Sequence, residues 1–294
     1  MNKTAFIVNG RRSIIRRFSR DFDRLSRLID GEYKVFLTSK AGHAKSLGKE
    51  LANDGHTHII AVGGDGTLHE VVNGVMSSAQ AECIVGLLPA GTANDYAKSI
   101  KVDRDLSTVI EKLNQGSSSK VNLGVIRFAH DRIEYFINIA DMGLGVDVVK
   151  RVNKSAKILG PGLTFTKSIV RSFLNYKNQS ISIQAFDWAW EGKINSLVIA
   201  NGKYFGSGMC IAPDADVFGD DFSVVIIGDV TIRDYLKYVR KIKRRERIDH
   251  PAVQYRKAKS LRIRSKYGIE ADGEYIGESP KSIEIAKGGV SILL

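Results

Sequence analysis

Short apolar runs alternate with longer amphipathic stretches in the first part of the chain. The runs predict β-strands at Ala5–Val8, Lys34–Leu37, Ile59–Val62 and Ile84–Leu88. Apolar side chains recur at helical spacing after the first run, and more weakly over Ala44–Ala52. The apolar positions after the first run are Ile14, Phe18, Phe22, Leu25 and Ile29. This alternation of strands and helices predicts an α/β domain with a parallel sheet and helices on both faces.

The pattern changes near Val121-Asn122-Leu123-Gly124, after which strands predominate. They are predicted at Val125–Phe128, Tyr135–Ile139, Ile181–Phe186, Asn195–Ala200, Phe222–Ile227, Leu261–Ile263 and Ile269–Ala271. Helices are predicted at Leu163–Phe173 and, rich in basic residues, at Ile232–Ile248. We therefore expect an α/β domain over residues 1–123. A β-rich domain, sandwich-like or barrel-like, follows over 124–294, with its last segment free to return to the first domain.

Charge and cysteine content narrow the function. The 294 residues include 44 lysines and arginines against 32 aspartates and glutamates, a formal net charge of +12. This excess predicts an acidic partner, which leaves nucleic acid, an anionic membrane surface and a phosphorylated ligand open. The sequence has only two cysteines, Cys83 and Cys210. So few cysteines exclude a disulfide scaffold and indicate a reducing, cytoplasmic compartment. Because the sequence has no apolar stretch long enough to span a bilayer, any membrane contact is expected to be peripheral.

A glycine-rich loop, Gly63-Gly64-Asp65-Gly66-Thr67, connects the third predicted strand to a predicted helix. Glycines let a bulky anion approach the backbone, and a helix start offers unpaired N–H groups and a positive dipole end. Thr67 and Glu70 have the spacing of a capping box, which predicts where the helix begins. Asp65 would repel a phosphate unless Mg²⁺ bridges the two, or it would bind ribose or substrate hydroxyls. An ordinary glycine-rich turn stays open as the alternative.

A second loop of this kind, Pro89-Ala90-Gly91-Thr92-Ala93-Asn94-Asp95, follows the fourth predicted strand. Thr92 lies three residues before Asp95, which is capping spacing, and a helix is predicted through Tyr96–Ile100. Alone, this segment is more typical of an ordinary helix cap. Two such loops after neighbouring parallel strands favour a phosphate site, because ligands of open α/β sheets bind outside the carboxyl ends of the strands.

Four segments together resemble the diacylglycerol kinase catalytic family, which includes sphingosine and ceramide kinases and bacterial lipid kinases. They are Gly63–Gly74, Gly91–Tyr96, Asn201–Ala215 and Asp272-Gly273-Glu274. The first is shared with NAD kinases and phosphofructokinases, whereas the four in this order are specific and extend over nearly the whole chain. The resemblance implies a Rossmann-like N-terminal α/β domain and a β-rich, sandwich-like C-terminal domain, with ATP in the cleft between them.

The resemblance also implies the reaction and its residues. The reaction is transfer of a phosphoryl group from ATP to a lipid hydroxyl with Mg²⁺, and Glu274 and Asp65 are the implied catalytic residues, with Glu274 as the base. The positions implied to bind nucleotide are Asn9, Thr38, Gly63, Gly64, Asp65, Gly66, Thr67, Glu70, Gly91, Thr92, Asn94 and Asp95. An ordinary hairpin turn is the alternative interpretation of Glu274. Where the family has Asn-Pro, this chain has Asn9-Gly10-Arg11-Arg12-Ser13, whose arginines are candidate phosphate contacts.

A structural Mg²⁺ loop is implied as well, in which Ala-Pro-x-Ala is followed four residues later by Asp-Gly. Here Ala212-Pro213-Asp214-Ala215 is followed by Gly219-Asp220, so that the pair is inverted. Asp216, through its carbonyl oxygen, and Asp220, through its carboxylate, are the candidate metal ligands, since oxygen ligands suit this ion. A tight turn without metal stays open.

These observations favour a lipid kinase at the inner membrane surface. Its expected partners are a lipid alcohol, such as a diacylglycerol or a sphingoid base, and anionic lipid, without nucleic acid; a homodimer stays open. One alternative is an NAD kinase-like enzyme, which does not explain Gly91–Tyr96 or Asp272–Glu274. The other is a catalytically silent nucleotide- or lipid-binding protein, which the inverted metal loop and the altered Asn9–Ser13 segment favour.

The basic predicted helix offers a route to the membrane. Its apolar positions recur at helical spacing: Ile232, Tyr235, Leu236, Val239 and Ile242. Basic residues lie around and beyond this stripe: Arg233, Lys237, Arg240, Lys241, Lys243, Arg244, Arg245 and Arg247. We expect the stripe to pack on the domain and the basic end to rest on anionic lipid, with a merely solvated basic face as the alternative. Arg11–Arg27 is a second candidate patch.

Overall fold

A computed structural model shows the chain as two units. The residues that it describes are 2–79, 82–154, 168–173 and 175–294. The first unit comprises Met1–Asn122 and Lys287–Leu294, and the second comprises Leu123–Ala286. The chain therefore leaves the first unit once and returns to it at its end. None of the helices in the described ranges is both long enough and apolar enough to cross a membrane.

The first unit is built on a parallel sheet. Its strands are β1 Lys3–Val8, β2 Glu32–Leu37, β3 His58–Gly63 and β4 Ile84–Pro89. Its helices are α1 Arg12–Leu25, α2 His43–Asn53, α3 Asp65–Met76, α4 Asp95–Ile100 and α5 Leu106–Gln115. The strands pair in parallel in the order β2-β1-β3-β4, and Ser291 and Ile292 add a parallel segment beside β4. The predicted α/β domain is confirmed.

The order of these strands locates a binding crevice. From β1 the chain runs to β2 on one side, and from β2 it returns to β3 on the other side of β1. In open α/β sheets such a reversal leaves a crevice outside the carboxyl ends of the strands, where ligands bind. Asn9 follows β1 and Gly64 follows β3, so both residues lie at the reversal.

An aromatic cluster holds α1 on the sheet. Phe6 of β1 meets Phe22 edge-to-face with ring centroids 5.1 Å apart, and Phe18 stacks on Phe22 at 4.8 Å. These rings share a buried cluster with Ile14 and with Leu113 of α5. Burial of each such side chain contributes about 1.5–3 kcal/mol. The cluster therefore fixes α1 and, with it, the loop that joins β1 to α1.

The remaining elements are mostly strands. They are β5 Ser118–Arg127, β6 Ile133–Phe136, β7 Ile139–Gly143, β8 Gln179–Gln184, β9 Ala189–Ile194, β10 Ser196–Ala200, β11 Tyr204–Phe205, β12 Met209–Cys210, β13 Phe222–Ile227, β14 Val253–Ala258, β15 Ser260–Arg264, β16 Gly268–Ala271, β17 Glu274–Glu278 and β18 Ser282–Leu293. The helices among them are α6 Leu144–Lys154 and α7 Ile232–Lys243.

The second unit is a β-sandwich with a helical layer. Its six-stranded antiparallel sheet has the order β14-β13-β10-β7-β16-β17. One face of this sheet packs against β5, β6, β8 and β15 around a buried core in which Phe136 and Phe222 stack at 5.6 Å. The opposite face carries α6 and α7 over a second apolar cluster that includes Val148 and Ile242. The predicted sandwich-like domain is confirmed.

The prediction of one strand over Tyr135–Ile139 is wrong, because the chain changes sheets here. The buried carboxylate of Asp272 accepts the backbone N–H groups of Ile137, Asn138 and Ile139 at 3.1, 2.9 and 3.2 Å. β6 pairs with β5, whereas β7 pairs with β10 and β16. Asp272 thus supplies acceptors where the chain passes from one layer to the other.

The structure shortens one predicted helix and describes only part of another. The basic helix predicted over Ile232–Ile248 ends at Lys243, because Arg245 has a left-handed φ of 67° that a helix cannot continue through. Of the helix predicted over Leu163–Phe173, residues 163–167 lie outside the described residues, and 168–173 are helical. The sequence patterns also do not predict α6.

Removing the acceptor at Asp272 would leave three backbone N–H groups unpaired in a buried place. Each unpaired group of this kind costs about 1–3 kcal/mol. We expect Asp272→Ala to lower the free energy of unfolding by about 3 kcal/mol or more, measured by urea denaturation, and Asp272→Asn to lower it less. A loss below about 1 kcal/mol for the alanine variant would show that these amides find other acceptors.

Candidate functional site

Loops from four strands of the first unit meet at the carboxyl ends of those strands. Asn9 Nδ2, after β1, donates to Thr67 Oγ1 on α3 at 3.1 Å, across the reversal in strand order. The Gly10 N–H donates to Thr38 Oγ1 at 3.0 Å. A Cβ on Gly10 would lie 2.0 Å from the carbonyl oxygen of Thr38, so only glycine fits there. The structure therefore brings Asn9, Thr38 and Thr67 into one place.

The two glycine-rich loops touch through their backbones. The N–H groups of Ala90 and Gly91 both donate to the carbonyl oxygen of Gly63, at 2.8 and 3.1 Å. A Cβ on Gly91 would lie 2.4 Å from the Cα of Gly64, and a Cβ on Gly63 would lie 2.3 Å from Thr67 Oγ1. Packing between the loops thus requires glycine at Gly91, and packing against Thr67 of the same loop requires it at Gly63.

The predicted capping box at Thr67 and Glu70 is wrong. Helix α3 begins directly after Gly64, which offers no side-chain cap. The two carboxylate oxygens of Glu70 instead accept the N–H groups of Gly42 and Ala44 at the start of α2, at 2.8 and 3.0 Å. Glu70 therefore fixes α2 against α3, and this contact engages both of its carboxylate oxygens.

The start of α3 is suited to an anion. The first N–H groups of a helix have no acceptor within the helix, and the helix dipole is positive at this end. No side chain caps α3. The exposed side chains of Arg11 and Arg12 follow Asn9 at the start of α1 and add positive charge. A phosphate would thus meet the positive end of a helix as well as cations.

Asp65 joins the two loops. Its Oδ2 and Oδ1 accept the N–H groups of Asp95 and Tyr96 at 3.1 and 3.0 Å. These are the first two residues of α4, so that Asp65 caps a neighbouring helix from outside. This contact accounts for a carboxylate inside a glycine-rich loop without an intervening metal ion.

The cap predicted from Thr92 and Asp95 is also wrong. Asn94, with a left-handed φ of 49°, precedes α4. Its amide group accepts the Gly91 N–H at 3.0 Å and donates to the Gly91 carbonyl oxygen at 2.9 Å. Asp95 is buried and pairs with Lys98 at 2.8 Å. Asn94 and Asp95 therefore shape the loop, and Thr92 is the exposed side chain at its tip.

In the second unit, Glu274 stands directly after a tight turn. The turn residues Asp272 and Gly273 have φ values of 52° and 86°, and Ala271 pairs with Glu274 across the two-residue hairpin. Asp272 is buried, whereas the side chain of Glu274 is exposed. The hairpin thus presents this carboxylate outward on a rigid support.

Two further carboxyl groups lie behind this turn. Glu270 of β16 and Asp141 of β7 are cross-strand partners, and both are buried. Burial, with the charge of Asp141 added, raises the pKa of Glu270 well above its usual value. Burial also raises the pKa of Asp141 to about 8. Burial therefore favours the protonated, uncharged form of both groups.

This pair lies outside the motifs that stand out in the sequence. Glu270 does stand inside the predicted strand Ile269–Ala271, and an acid in the middle of an apolar strand is the signal that would have found it. Asp141 follows the predicted strand Tyr135–Ile139 and carries no comparable signal.

The candidate metal loop is closed by its own hydrogen bonds. Asp216 Oδ1 accepts the Phe218 N–H at 3.0 Å, and the Asp216 carbonyl oxygen accepts the Gly219 N–H at 2.9 Å. Over the described ranges, no three histidine, cysteine, aspartate or glutamate side chains come together as a metal site. These contacts of Asp216 are those of a tight turn, and the implied Mg²⁺ site at Asp216 and Asp220 stays a prediction.

Comparison with known families agrees with this architecture. The sequence model of the diacylglycerol kinase catalytic domain matches residues 3–126. That of the YegS C-terminal NAD kinase beta sandwich-like domain matches residues 138–294. The chain belongs to the diacylglycerol kinase-like family that these two domains define, as the resemblance predicts. Family membership supports a lipid kinase.

Individual relatives are distant but extend over most of the chain. A diacylglycerol kinase of Staphylococcus carnosus (strain TM300) is 28% identical over 252 residues, which are 85% of this chain and 80% of that protein. One of Staphylococcus aureus (strain MRSA252) is 27% identical over 286 residues, 95% of this chain and 89% of that protein. The crystal structure of a diacylglycerol kinase from Bacillus anthracis str. Sterne has the same fold, with a TM-score of 0.72 at 16% identity. The match covers 99% of this chain and 96% of the chain in that structure.

The cap supplied by Asp65 can be tested directly. Asp65→Ala removes the acceptor for two N–H groups of α4, and loss of a helix cap costs about 0.5–2 kcal/mol. We expect a loss of stability in this range in urea denaturation and faster amide exchange at Asp95 and Tyr96. Asp65→Asn keeps one acceptor oxygen and serves as the matched control. Its stability should lie between that of the parent and that of Asp65→Ala. Unchanged exchange at both amides would contradict the capping role.

Proposed function

We propose that this protein is an ATP-dependent lipid kinase that transfers the γ-phosphoryl group to a lipid hydroxyl of the diacylglycerol or sphingoid type. One observation carries the proposal. Two glycine-rich loops are held together by the N–H groups of Ala90 and Gly91, which donate to the carbonyl oxygen of Gly63. Both loops lie where the strand order of the parallel sheet reverses, beside a helix start that no side chain caps. This is the arrangement that binds phosphate groups in α/β proteins, and the chain belongs to a kinase family.

The residues divide into a framework and a binding surface. Asn9, Asn94 and Asp95 are held in contacts that shape the loops, as are Asp65 and Thr38. The proposed phosphate donors are backbone N–H groups at the start of α3, from Gly64 to Gly66, whereas the Thr67 N–H already donates to the Gly64 carbonyl oxygen at 3.0 Å. The exposed hydroxyl of Thr92 and the cations Arg11 and Arg12 complete the surface. Glu70 is not part of the proposed binding surface, because both of its carboxylate oxygens accept N–H groups at the start of α2.

Phosphoryl transfer depends mainly on position and charge. Mg²⁺ bound with ATP would neutralise charge that develops on the phosphates. In this proposal Glu274 accepts the proton of the lipid hydroxyl as that oxygen attacks the γ-phosphorus, and the bond from this phosphorus to the β–γ bridging oxygen breaks to release ADP. An exposed carboxylate on a rigid hairpin is suited to this role, because a base must be held within hydrogen-bond reach of the hydroxyl.

A lipid panel assay tests the proposal. The protein is incubated with radiolabelled ATP and Mg²⁺ and, in separate reactions, with diacylglycerol, sphingosine, phosphatidylglycerol or NAD. The products are separated by thin-layer chromatography. A labelled lipid supports the proposal and names the acceptor. Labelled NADP would identify an NAD kinase-like enzyme, and no labelled product would indicate a catalytically silent binding protein.

Replacement of Glu274 isolates the base. Glu274→Gln keeps the size and polarity of the side chain but removes its ability to take a proton. We expect turnover to fall roughly 100-fold or more, while the affinity for ATP in calorimetry stays close to that of the parent. Glu278→Gln, the same change further along β17, is the matched control and should keep its turnover. Parent-like turnover of Glu274→Gln would reduce Glu274 to a hairpin residue.

We also propose that α7 brings the enzyme to anionic membranes. Tyr238 and Ile242 are the buried side chains of α7, and the predicted stripe is wrong at Leu236, which is 59% exposed. Basic side chains surround this exposed leucine and continue past the end of the helix: Arg233, Lys237, Arg240, Lys241, Lys243, Arg244 and Arg245. An exposed apolar side chain among cations favours contact with an anionic lipid surface.

The membrane contact is tested by removing three charges. Each basic residue near an anionic surface contributes about 1 kcal/mol at low salt. We expect changing Lys243, Arg244 and Arg245 to glutamine to weaken binding to phosphatidylglycerol-containing vesicles while sparing affinity for ATP. Co-sedimentation at low and high salt measures the effect.

The matched control changes three exposed cations of the β14–β15 region to glutamine: Lys259, Arg262 and Arg264. It makes the same change in net charge and should bind vesicles like the parent. Equal binding of the α7 variant and the parent at low salt would contradict the membrane contact.

A further inference from the structure

A buried pair of carboxyl groups lies directly behind the proposed base. Glu270 and Asp141 are 5% and 1% exposed and face each other across β16 and β7. The residues on either side of Glu270, Ile269 and Ala271, belong to the sandwich core. Because side chains alternate along a strand, the carboxyl pair lies on the opposite face, the one that carries the helices.

Each member of the pair holds a different piece of backbone. Glu270 Oε2 accepts the N–H of Gly273 at 2.9 Å, in the turn that precedes Glu274. Asp141 accepts the N–H of Gly145, at the start of α6, and Ser196 Oγ lies 3.5 Å from its Oδ2. The carboxyl pair therefore connects the hairpin turn to the helical layer.

We propose that Glu270 is a positioning residue for Glu274. Its carboxyl group holds the Asp272-Gly273 turn from the buried side, while Asp272 holds the same turn against Ile137–Ile139. With both contacts in place, the two-residue hairpin has one conformation, and the direction of the Glu274 side chain follows from it. This inference rests on the proposed function in one respect, the role of Glu274 as base.

The charge state of Glu270 matters to this role. The nearby ionisable groups on its own hairpin and on β7 are all acids: Asp141, Asp272 and Glu274. On α6, which packs over β16, Asp147 pairs with Arg151 and Lys150 lies over the Tyr275 ring at 3.9 Å. An ionised Glu270 would therefore meet like charges in a buried place. An uncharged Glu270 holds the turn without repelling the carboxylate of Glu274.

Glutamine and alanine separate the two parts of this role. Glu270→Gln keeps an acceptor for Gly273 and is always uncharged, whereas Glu270→Ala removes the acceptor. We expect Glu270→Ala to lower kcat roughly tenfold or more with KM for ATP little changed, because misplacement of a catalytic group slows the chemical step. Glu270→Gln should restore most of this loss, and its kcat should fall less than that of the parent as pH rises, because glutamine cannot ionise.

A second readout does not need catalysis. A carboxyl group whose pKa is raised in the folded state keeps its proton there after the unfolded chain has lost it. Such a group makes the protein less stable as pH rises from about 4.3 towards the folded pKa. The melting temperature of Glu270→Gln relative to the parent should therefore increase as pH rises above about 4.3. Glu191→Ala, at an exposed glutamate of β9, is the control and should show no such trend.

The outcomes decide between the two proposals. If the parent is active, parent-like kcat in Glu270→Ala overturns the positioning role, and a melting difference that does not vary with pH overturns the uncharged state. If the alanine variant does not fold, the pH profiles of kcat and melting for Glu270→Gln decide alone. A parent without kinase activity overturns the proposed function and the positioning of a base with it, whereas the melting trend would still support an uncharged Glu270.

Discussion

The contact between the two glycine-rich loops is the constraint on which the site of the first unit depends. The carbonyl oxygen of Gly63 accepts two amides of the neighbouring loop, and no side chain fits at Gly91. Because the backbones meet this closely, the start of α3 lies beside the start of α4, and Asp65 can reach the N–H groups there. The groups available to a ligand are thus supported by packed elements rather than by mobile loops.

The same device recurs in both units, where a carboxylate of one segment accepts backbone N–H groups of another. Glu70 does this for α2, Asp65 for α4 and Asp272 for the passage from β6 to β7. A buried N–H group needs an acceptor, so each of these carboxylates fixes the relative position of two elements. Acidic residues inside the conspicuous motifs thus make structural contacts, and Glu274 differs from them in being exposed.

What could be predicted from the sequence follows from the range of the interactions. The first four strands and α1 are visible because their apolar periodicity is local, as at Phe18 and Phe22. The caps fail for the opposite reason. Thr67 and Glu70 have the right spacing, but the partners of Glu70 are 26 and 28 residues away. Asp272 meets its amides across more than 130 residues, and no local pattern announces such a contact.

Burial also changes the charge that a partner meets. The formal net charge of +12 counts every carboxyl group as ionised. Among the described residues, the buried charged types are Asp95, Asp141, Glu270 and Asp272, and no lysine or arginine is buried. The pKa values of Asp141 and Glu270 are raised, so burial favours the uncharged form of both. The surface is therefore more basic than the composition states, and this strengthens the attraction to phosphates and anionic lipid where cations cluster, as they do on α7.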